Sequence, residues 1–466
     1  MLATYRNRSS PVPLATMLIL AAVVVAAAAD LPERPNLVMI LADDLGYGDL
    51  GCYGHPTIRT PHLDQMAREG MRFTQFYSAA EVCTPSRAAL LTGRLPPRSG
   101  MCSSKRRVAF PNTTGGLPDG ELTIAELLKS KGYATACFGK WHLGHLPAYS
   151  PLKHGFDEYL GLPYSNDMDR VATSPMGRAS FLDPKIEYWN VPLLKNDKII
   201  ERPADQHTLT RRYTDAAIRF IREHKDQPFF VYLPHTMPHV PLFASDNFAG
   251  TSPRKLYGDV VEELDAHVGR LLQMLRDENL AERTLVIFTS DNGPWLIQGE
   301  QGGSAGLLKD GKGSTWEGGM RVPGLAWMPG WVPSGSVSHE MASTLDILPT
   351  ALALANLDLR KDRPLDGYDL SPALAGGKSR RHEMYYYRGF DLMAARLGPW
   401  KAHFQTQSGY GQAMPEAHDP PLLFNLDVDP SERFNVAAAN PDVLKEIQSL
   451  VEKHRSGMQP AASQLE

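Results

Sequence analysis

Asn36-Leu37-Val38-Met39-Ile40-Leu41-Ala42-Asp43-Asp44-Leu45-Gly46-Tyr47-Gly48-Asp49 decides how the rest of the chain is read. Its apolar run, Asn36 to Leu41, is short and is followed at once by turn-forming acids and glycines, so it reads as a buried strand. The same grammar returns at Tyr133 to Phe138, Pro228 to Leu233 and Thr284 to Thr289. Between these lie helical patterns at Glu121 to Lys131, Thr208 to His224 and Tyr257 to Asp277; the last puts Leu264, Val268, Leu271, Leu272 and Leu275 on one face. Alternating strands and helices predict an α/β fold with a large, mostly parallel sheet flanked by helices. Ligands of such sheets collect beyond the carboxyl ends of the strands. Asp43 and Asp44, Lys140 and His142, His235 and His239, and Asp291 and Asn292 each follow a different predicted strand there. Gln298 to Gly319, rich in glycine and carrying Lys309 and Lys312, reads as a loop lining the same edge. Past about residue 375 the pattern shifts to short strands at Glu383 to Tyr387, Leu392 to Arg396, Lys401 to Gln405 and Leu422 to Leu426, with a closing helix at Pro441 to Lys453. The expected division is a signal peptide at 1–29, a catalytic domain at 30–375 and a smaller antiparallel-sheet C-terminal subdomain at 376–466.

The N-terminus has its own texture. Arg6 and Arg8 precede the apolar run Leu14 to Ala29, which ends in small residues, the pattern of a secretory signal peptide cut near Ala28 or Ala29. A membrane anchor is the rival reading, but the run is at the lower limit for a span and is largely alanine. The expected protein is therefore exported: periplasmic or secreted, or in a lysosome-like compartment if the source is eukaryotic. A net charge of -4 with no basic stripe argues against a nucleic-acid partner. Four cysteines in 466 residues are no disulfide framework, because a chain this long can bury a core. A pair among Cys52, Cys102 and Cys137 stays open, while Cys83 is expected to be unpaired. Asn112-Thr113-Thr114 is a glycosylation sequon for a eukaryotic secretory pathway.

Asp43, Asp44, Asp291 and Asn292 offer three carboxylates and an amide, hard donors that suit Ca2+ or Mg2+ better than zinc. Ca2+ is favoured, because a site gathered from distant loops is free in number and angle. Arg87, Lys140 and Lys312 could converge on a tetrahedral anion, the arginine as a hydrogen-bonding clamp and the lysines as point charges. His142 and His239 are candidate acid and base groups, with His235 competing for the same role. Cys83 precedes Pro85, a residue suited to a first helical turn, so its sulfur would sit near a helix N-terminus, where the dipole favours anions. Each feature also has a plain reading. Paired acids cap turns, lone lysines are solvated, lone histidines are structural and a buried cysteine is core.

Cys83-x-Pro85-x-Arg87, continued by Ala88-Ala89-Leu90-Leu91-Thr92-Gly93-Arg94, resembles the type I sulfatase signature. Leu41 to Asp49, Gly139-Lys140-Trp141-His142-Leu143-Gly144, Ser290-Asp291-Asn292-Gly293 and Gly311 to Gly319 resemble that family's other motifs, in its order. Within the family, His154 to Glu158, Glu300 to Ser304 and Tyr386 to Gly389 are similar to the N-acetylgalactosamine-6-sulfatase branch, and Pro163 to Asp167 to the arylsulfatase A branch. The resemblance implies an alkaline-phosphatase-like fold and hydrolysis of sulfate esters, aryl sulfates in vitro and a sulfated sugar such as galactosamine- or galactose-6-sulfate in vivo. It implies Ca2+ bound by Asp43, Asp44, Asp291, Asn292 and Cys83, with Cys83 converted to formylglycine by a formylglycine-generating or sulfatase-maturing enzyme. One hydroxyl of the hydrated aldehyde would attack sulfur, polarised by the metal and Arg87. Lys140, Lys312, His239 and Ser165 would hold the substrate. His239 would protonate the departing alcohol and His142 would take the proton from the second hydroxyl. Specificity is expected from the loops between Tyr164 and Tyr188 and from the C-terminal region near Arg388 and His403. Dimers are common in the family, so a homodimer is one assembly to expect.

Two other function classes compete. A phosphohydrolase of the same superfamily would carry a serine or threonine nucleophile and two zinc ions with histidine ligands. A non-catalytic carbohydrate-binding protein would keep the sulfate site but leave Cys83 a thiol.

Overall fold

The structure, a computed structural model, describes residues 31–358 and 363–466. The expected signal peptide lies outside the described residues. Ten strands form one sheet: β1 (Asn36–Ala42), β2 (Met71–Tyr77), β3 (Ala134–Phe138), β4 (Glu158–Gly161), β5 (Leu193–Lys195), β6 (Lys198–Glu201), β7 (Phe229–Pro234), β8 (Thr284–Ser290), β9 (Arg321–Trp327) and β10 (Ser336–Ser343). Their order is β10-β2-β9-β8-β1-β7-β3-β4-β5-β6. Strands β8, β1, β7, β3 and β4 run parallel in the middle, with Met39 facing Tyr232 on one side and Ile287 on the other. Strand β9 is antiparallel to both neighbours, and β5 and β6 close one edge as an antiparallel hairpin. The sheet is thus mixed around a parallel centre. A hairpin edge and a reversed strand need no crossover helix, so the strand–helix alternation in the sequence could not signal them.

β1 is buried along its whole length, and its side chains alternate between two cores. Val38, Ile40 and Ala42 pack with the helices Leu209–Glu223 and Lys255–Asp277 on one face. Leu37, Met39 and Leu41 pack with the helices Cys83–Thr92, Ile124–Lys129 and Ile347–Leu354 on the other. Burial on both faces explains why the strand reads as a continuous apolar run. The helix expected from Glu121 begins instead at Ile124. Thr123 caps it, its hydroxyl accepting from the Glu126 amide while Glu126 accepts from the Thr123 amide, which leaves Glu121 outside.

A second sheet, β11 (Glu383–Arg388), β12 (Asp391–Leu397), β13 (Trp400–Thr406) and β14 (Glu416–Asn425), is antiparallel in sequence order. The helix Pro441–Gly457 covers it through Leu444, Ile447 and Val451. All four cysteines are free, so the open Cys52, Cys102 and Cys137 pairing is not made. No helix among the described residues is long and apolar enough to cross a membrane.

Candidate active site

The carboxyl ends of β1, β3, β7 and β8 and the N-terminus of the helix Cys83–Thr92 meet at one buried point. Cys83 is the first residue of that helix and is 2% exposed. Its Sγ lies 3.8 Å from Asp43 Oδ1. One turn on, Arg87 is fully buried. Its Nε and one terminal nitrogen reach Asp291 Oδ2 at 2.9 and 2.8 Å, the same terminal nitrogen is 3.3 Å from Asp43, and its other terminal nitrogen donates to the Lys140 carbonyl at 2.8 Å. This is the forked geometry that arginine offers and lysine does not.

Lys140 Nζ donates to Asp43 Oδ2 and, at 3.1 Å, to Ser165 Oγ. Lys312 Nζ sits 2.7 and 2.8 Å from the two oxygens of Asp44. Asn292 Nδ2 donates to Asp44 Oδ1 at 2.7 Å, and its Oδ1 is buried with no partner. Ligand atoms of Asp43, Asp44, Cys83 and His239 all lie within 4.8 Å of one another. Burial tends to raise the Asp43 carboxyl, but the charges of Lys140, Arg87 and Lys312 outweigh it and hold that group far below the usual range. Burial raises Asp44 against the pull of Lys312, and raises Asp291 with the push of Asp43 added. Crowded acids, a hard donor set and an orphaned amide oxygen together fit a divalent cation taking oxygen ligands. Asp44 and His142 both adopt left-handed backbone, φ 62° and 60°. Such strain persists where the surroundings fix it, and it clusters at functional sites.

The two histidines are presented differently. His142 Nε2 lies 2.9 Å from the Ala109 carbonyl, which can only accept, so Nε2 carries the proton. Nδ1 then holds a lone pair, buried and unpartnered. Burial and Lys140 keep His142 well below the ordinary imidazole range, so it is neutral and able to take a proton. His239 points Nδ1 at the Val240 carbonyl and leaves Nε2 3.6 Å from Asp44 Oδ2. Burial and Lys312 also keep it neutral. To act as an acid it must first gain a proton, and an anionic ester between it and the lysines would favour that. His235, the competitor for this role, is turned away. Its ring lies 6.2 Å from that of Tyr213, burial lowers it to about 3, and neither of its nitrogens has a partner.

Several residues beyond those expected hold the site together. The Thr84 hydroxyl donates to the His142 carbonyl at 3.1 Å and accepts from the Ala109 amide at 3.0 Å, tying the helix of Cys83 to both. The position lies inside the cysteine motif, so position alone could have flagged it. Asp167 Oδ1 is buried without a partner beside Ser165, Lys140 and Lys312. Arg107, from the segment before the helix Ile124–Lys129, and Arg388 both donate to the Gly313 carbonyl, at 2.7 and 3.0 Å, and Lys401 donates to that of Thr315 at 2.8 Å, so the C-terminal sheet, through Arg388 and Lys401, grips the loop of Lys312. His403, the marker of the C-terminal region expected to contribute specificity, is fully buried and paired with Glu432 at 2.6 Å.

Gly139 is the pivot of Lys140. Its φ is 142°, and an added Cβ would stand 1.9 Å from the Pro234 carbonyl oxygen. A Gly139→Ala variant must push Lys140 off Asp43. Displacement of about 1 Å costs on the order of a hundredfold in rate, so kcat/KM for an aryl sulfate should fall by about 10²; unchanged kinetics would take Lys140 out of the site.

Known proteins place this arrangement. The sulfatase family matches residues 35–357, and the C-terminal region of aryl-sulfatase matches 379–466. The chain is 42% identical to N-acetylgalactosamine-6-sulfatase of Canis lupus familiaris, covering 94% of this chain and 89% of that protein. It is 44% identical to arylsulfatase A of Homo sapiens, covering 89% and 87%. The crystal structure of the PsFucS1 sulfatase from Pseudoalteromonas sp. superposes with a TM-score of 0.81 at 30% identity, covering 91% of this chain and 90% of that one. The fold is the alkaline-phosphatase-like one, and the chain belongs to the sulfatase family, the hydrolases of sulfate esters.

Proposed function

We propose that this chain is an exported, Ca2+-dependent sulfatase that uses Cys83 as formylglycine and removes sulfate from a sugar. One observation carries the reading: Cys83, Asp43, Asp44 and His239 converge within 4.8 Å, with Lys140 and Lys312 on the carboxylates. Asp43, Asp44, Asp291 and Asn292 would hold Ca2+, with residue 83 beside it. Bound there, the ion would polarise the nucleophile and a sulfate oxygen and offset their charge. Formylglycine would supply a hydrated aldehyde, one hydroxyl to attack sulfur and a second whose deprotonation lets sulfate leave.

The remaining work falls to this chain's own groups. Arg87 fixes Asp43 and Asp291 in one orientation. Lys140, Lys312 and Ser165 take up the sulfate oxygens and balance charge in the transition state. His239 Nε2 gives a proton to the departing alcohol oxygen, and His142 Nδ1 receives one. The net change is sulfate ester plus water to alcohol, sulfate and one proton. A galactosamine- or galactose-6-sulfate is the substrate class favoured by the likeness to N-acetylgalactosamine-6-sulfatase.

Taking the oxygens of Asp43, Asp44, Asp291 and Asn292 as the ligands, with cysteine as the nucleophile, also separates this reading from a two-zinc phosphohydrolase. The test is hydrolysis of 4-nitrophenyl sulfate against 4-nitrophenyl phosphate, with EGTA and then Ca2+ added. Sulfate preference, loss on chelation and recovery with Ca2+ are expected. A preference for phosphate, or recovery with zinc alone, would overturn it.

A further inference from the structure

We infer that Glu432, in the C-terminal region, is a positioning residue for Lys312 and through it for turnover of the sulfate ester. The inference rests on the proposed reading that Lys312 holds a sulfate oxygen. It begins with a turn after β14. Asp429 Oδ2 accepts from the Arg433 and Phe434 amides at 2.9 and 2.8 Å, and the Glu432 amide donates to the Asp429 carbonyl at 3.1 Å. Within this turn Glu432 takes left-handed backbone, φ 51°, which glycine would suit better. The side chain is nonetheless only 1% exposed, so the outlier points to what its carboxylate touches.

Those contacts converge on one loop. Glu432 Oε2 accepts from the Glu317 amide at 2.6 Å. Its Oε1 accepts from His403 Nε2 at 2.6 Å and from Lys401 Nζ at 3.0 Å. Lys401 is fully buried on β13, and an ammonium has three protons to place. The other two acceptors are the Thr315 carbonyl at 2.8 Å and Glu317 Oε1 at 3.0 Å. His403 in turn lies 4.2 Å, ring to ring, from Trp316. With Arg388 on the Gly313 carbonyl, the backbone of residues 313, 315 and 317 is held by side chains from the C-terminal region. Lys312 directly precedes that run and places its Nζ 2.7 Å from Asp44. A lysine is a point charge on a flexible stem, so the position of its backbone sets where the charge arrives. Buried ions are tolerated only when fully paired. Without the Glu432 charge, Lys401 lacks its third acceptor or the Glu317 amide lacks its only side-chain one, and the loop must shift to replace it.

A brace that merely joined the two sheets would use the same contacts, but it would not depend on Lys312. The test is therefore a double-mutant cycle on kcat/KM for 4-nitrophenyl sulfate in Ca2+-loaded full-length protein, with thermal midpoints measured alongside. Lys312→Ala should lose roughly 10²- to 10³-fold. Glu432→Gln should lose about 10- to 100-fold, the scale of a displacement near 1 Å. The two combined should match Lys312→Ala within about twofold. Lys401→Met joined to Glu432→Gln removes both charges of the pair and leaves Glu317 on Tyr77 and Arg321, so it guards against a single variant that fails to fold. It should show the same pattern. Losses that multiply would mean that Glu432 acts on something other than Lys312. Unchanged kcat/KM in Glu432→Gln, with or without a lower thermal midpoint, would make the residue a brace alone. Full activity in Lys312→Ala would instead overturn the sulfate-binding reading beneath the inference, which separates the two failures.

Discussion

Cys83→Ala should drive kcat for 4-nitrophenyl sulfate down by about 10⁶-fold or to the detection floor, the scale set by removing a nucleophile from another hydrolase, while the fold stays intact. Cys83 is the first residue of its helix, where alanine is a good helix former. Its side chain is small, so its loss should cost only about 1 kcal/mol of packing. No ion pair and no backbone bond depends on its sulfur, whose nearest polar partner is Asp43 at 3.8 Å. Burial pushes the unmodified thiol up to about 12, so as a plain cysteine it would be a poor nucleophile near neutral pH. Mass spectrometry of the peptide spanning Cys83 should therefore find the lighter formylglycine form in active protein and only thiol in inactive preparations. Full activity in thiol-only protein would end the modification reading. A thermal midpoint that fell together with turnover would end the separation of nucleophile from scaffold. Since residue 83 is almost wholly buried, conversion should also require the unfolded or nascent chain, and treating folded thiol protein with a maturing enzyme should leave it inactive.

What could be read in the sequence was whatever local order delivers. Asp43 and Asp44 follow β1, Lys140 and His142 follow β3, His239 follows β7, and Asp291 and Asn292 follow β8. Each group stands within a few residues of a strand whose apolar run is unmistakable. Strand β9 was harder to see, because Arg321-Val322-Pro323-Gly324 carries a proline and a glycine that usually interrupt strands. Strand β10 hides for another reason: its first five residues are partly or fully exposed and all but Val337 are polar, so no apolar run marks it. The orientation of His235 lay beyond sequence altogether. It sits two residues past Leu233, as plausible as His239, and only packing against Tyr213 shows that it faces away. Trp295 beside Tyr410, and Arg107 with Arg388 on one carbonyl, are meetings of residues far apart in the chain. No periodicity encodes such meetings.

Arg87→Ala should behave unlike Cys83→Ala, losing activity and stability together. The guanidinium is the fixed partner of Asp291 through two nitrogens and also touches Asp43, all fully buried. Breaking a buried pair from one side leaves charge uncompensated, at a cost of about 3–5 kcal/mol. Burial opposes a charged Arg87, yet Asp291 and Asp43 more than offset it and hold the group firmly protonated at any working pH. Arg87→Lys should recover little, because an ammonium can neither fork onto Asp291 nor also reach the Lys140 carbonyl, now held at 2.8 Å. Ca2+ then separates the two consequences. The ion would bind the same acids in the folded state only, so raising its concentration should restore part of the lost thermal midpoint by mass action. Turnover should not return with it, since nothing then orients Asp43 and Asp291 around residue 83. A variant that melted with the parent in the absence of Ca2+ would show that Arg87 does not carry the acids, and one that regained turnover with Ca2+ would show that the ion alone orders them.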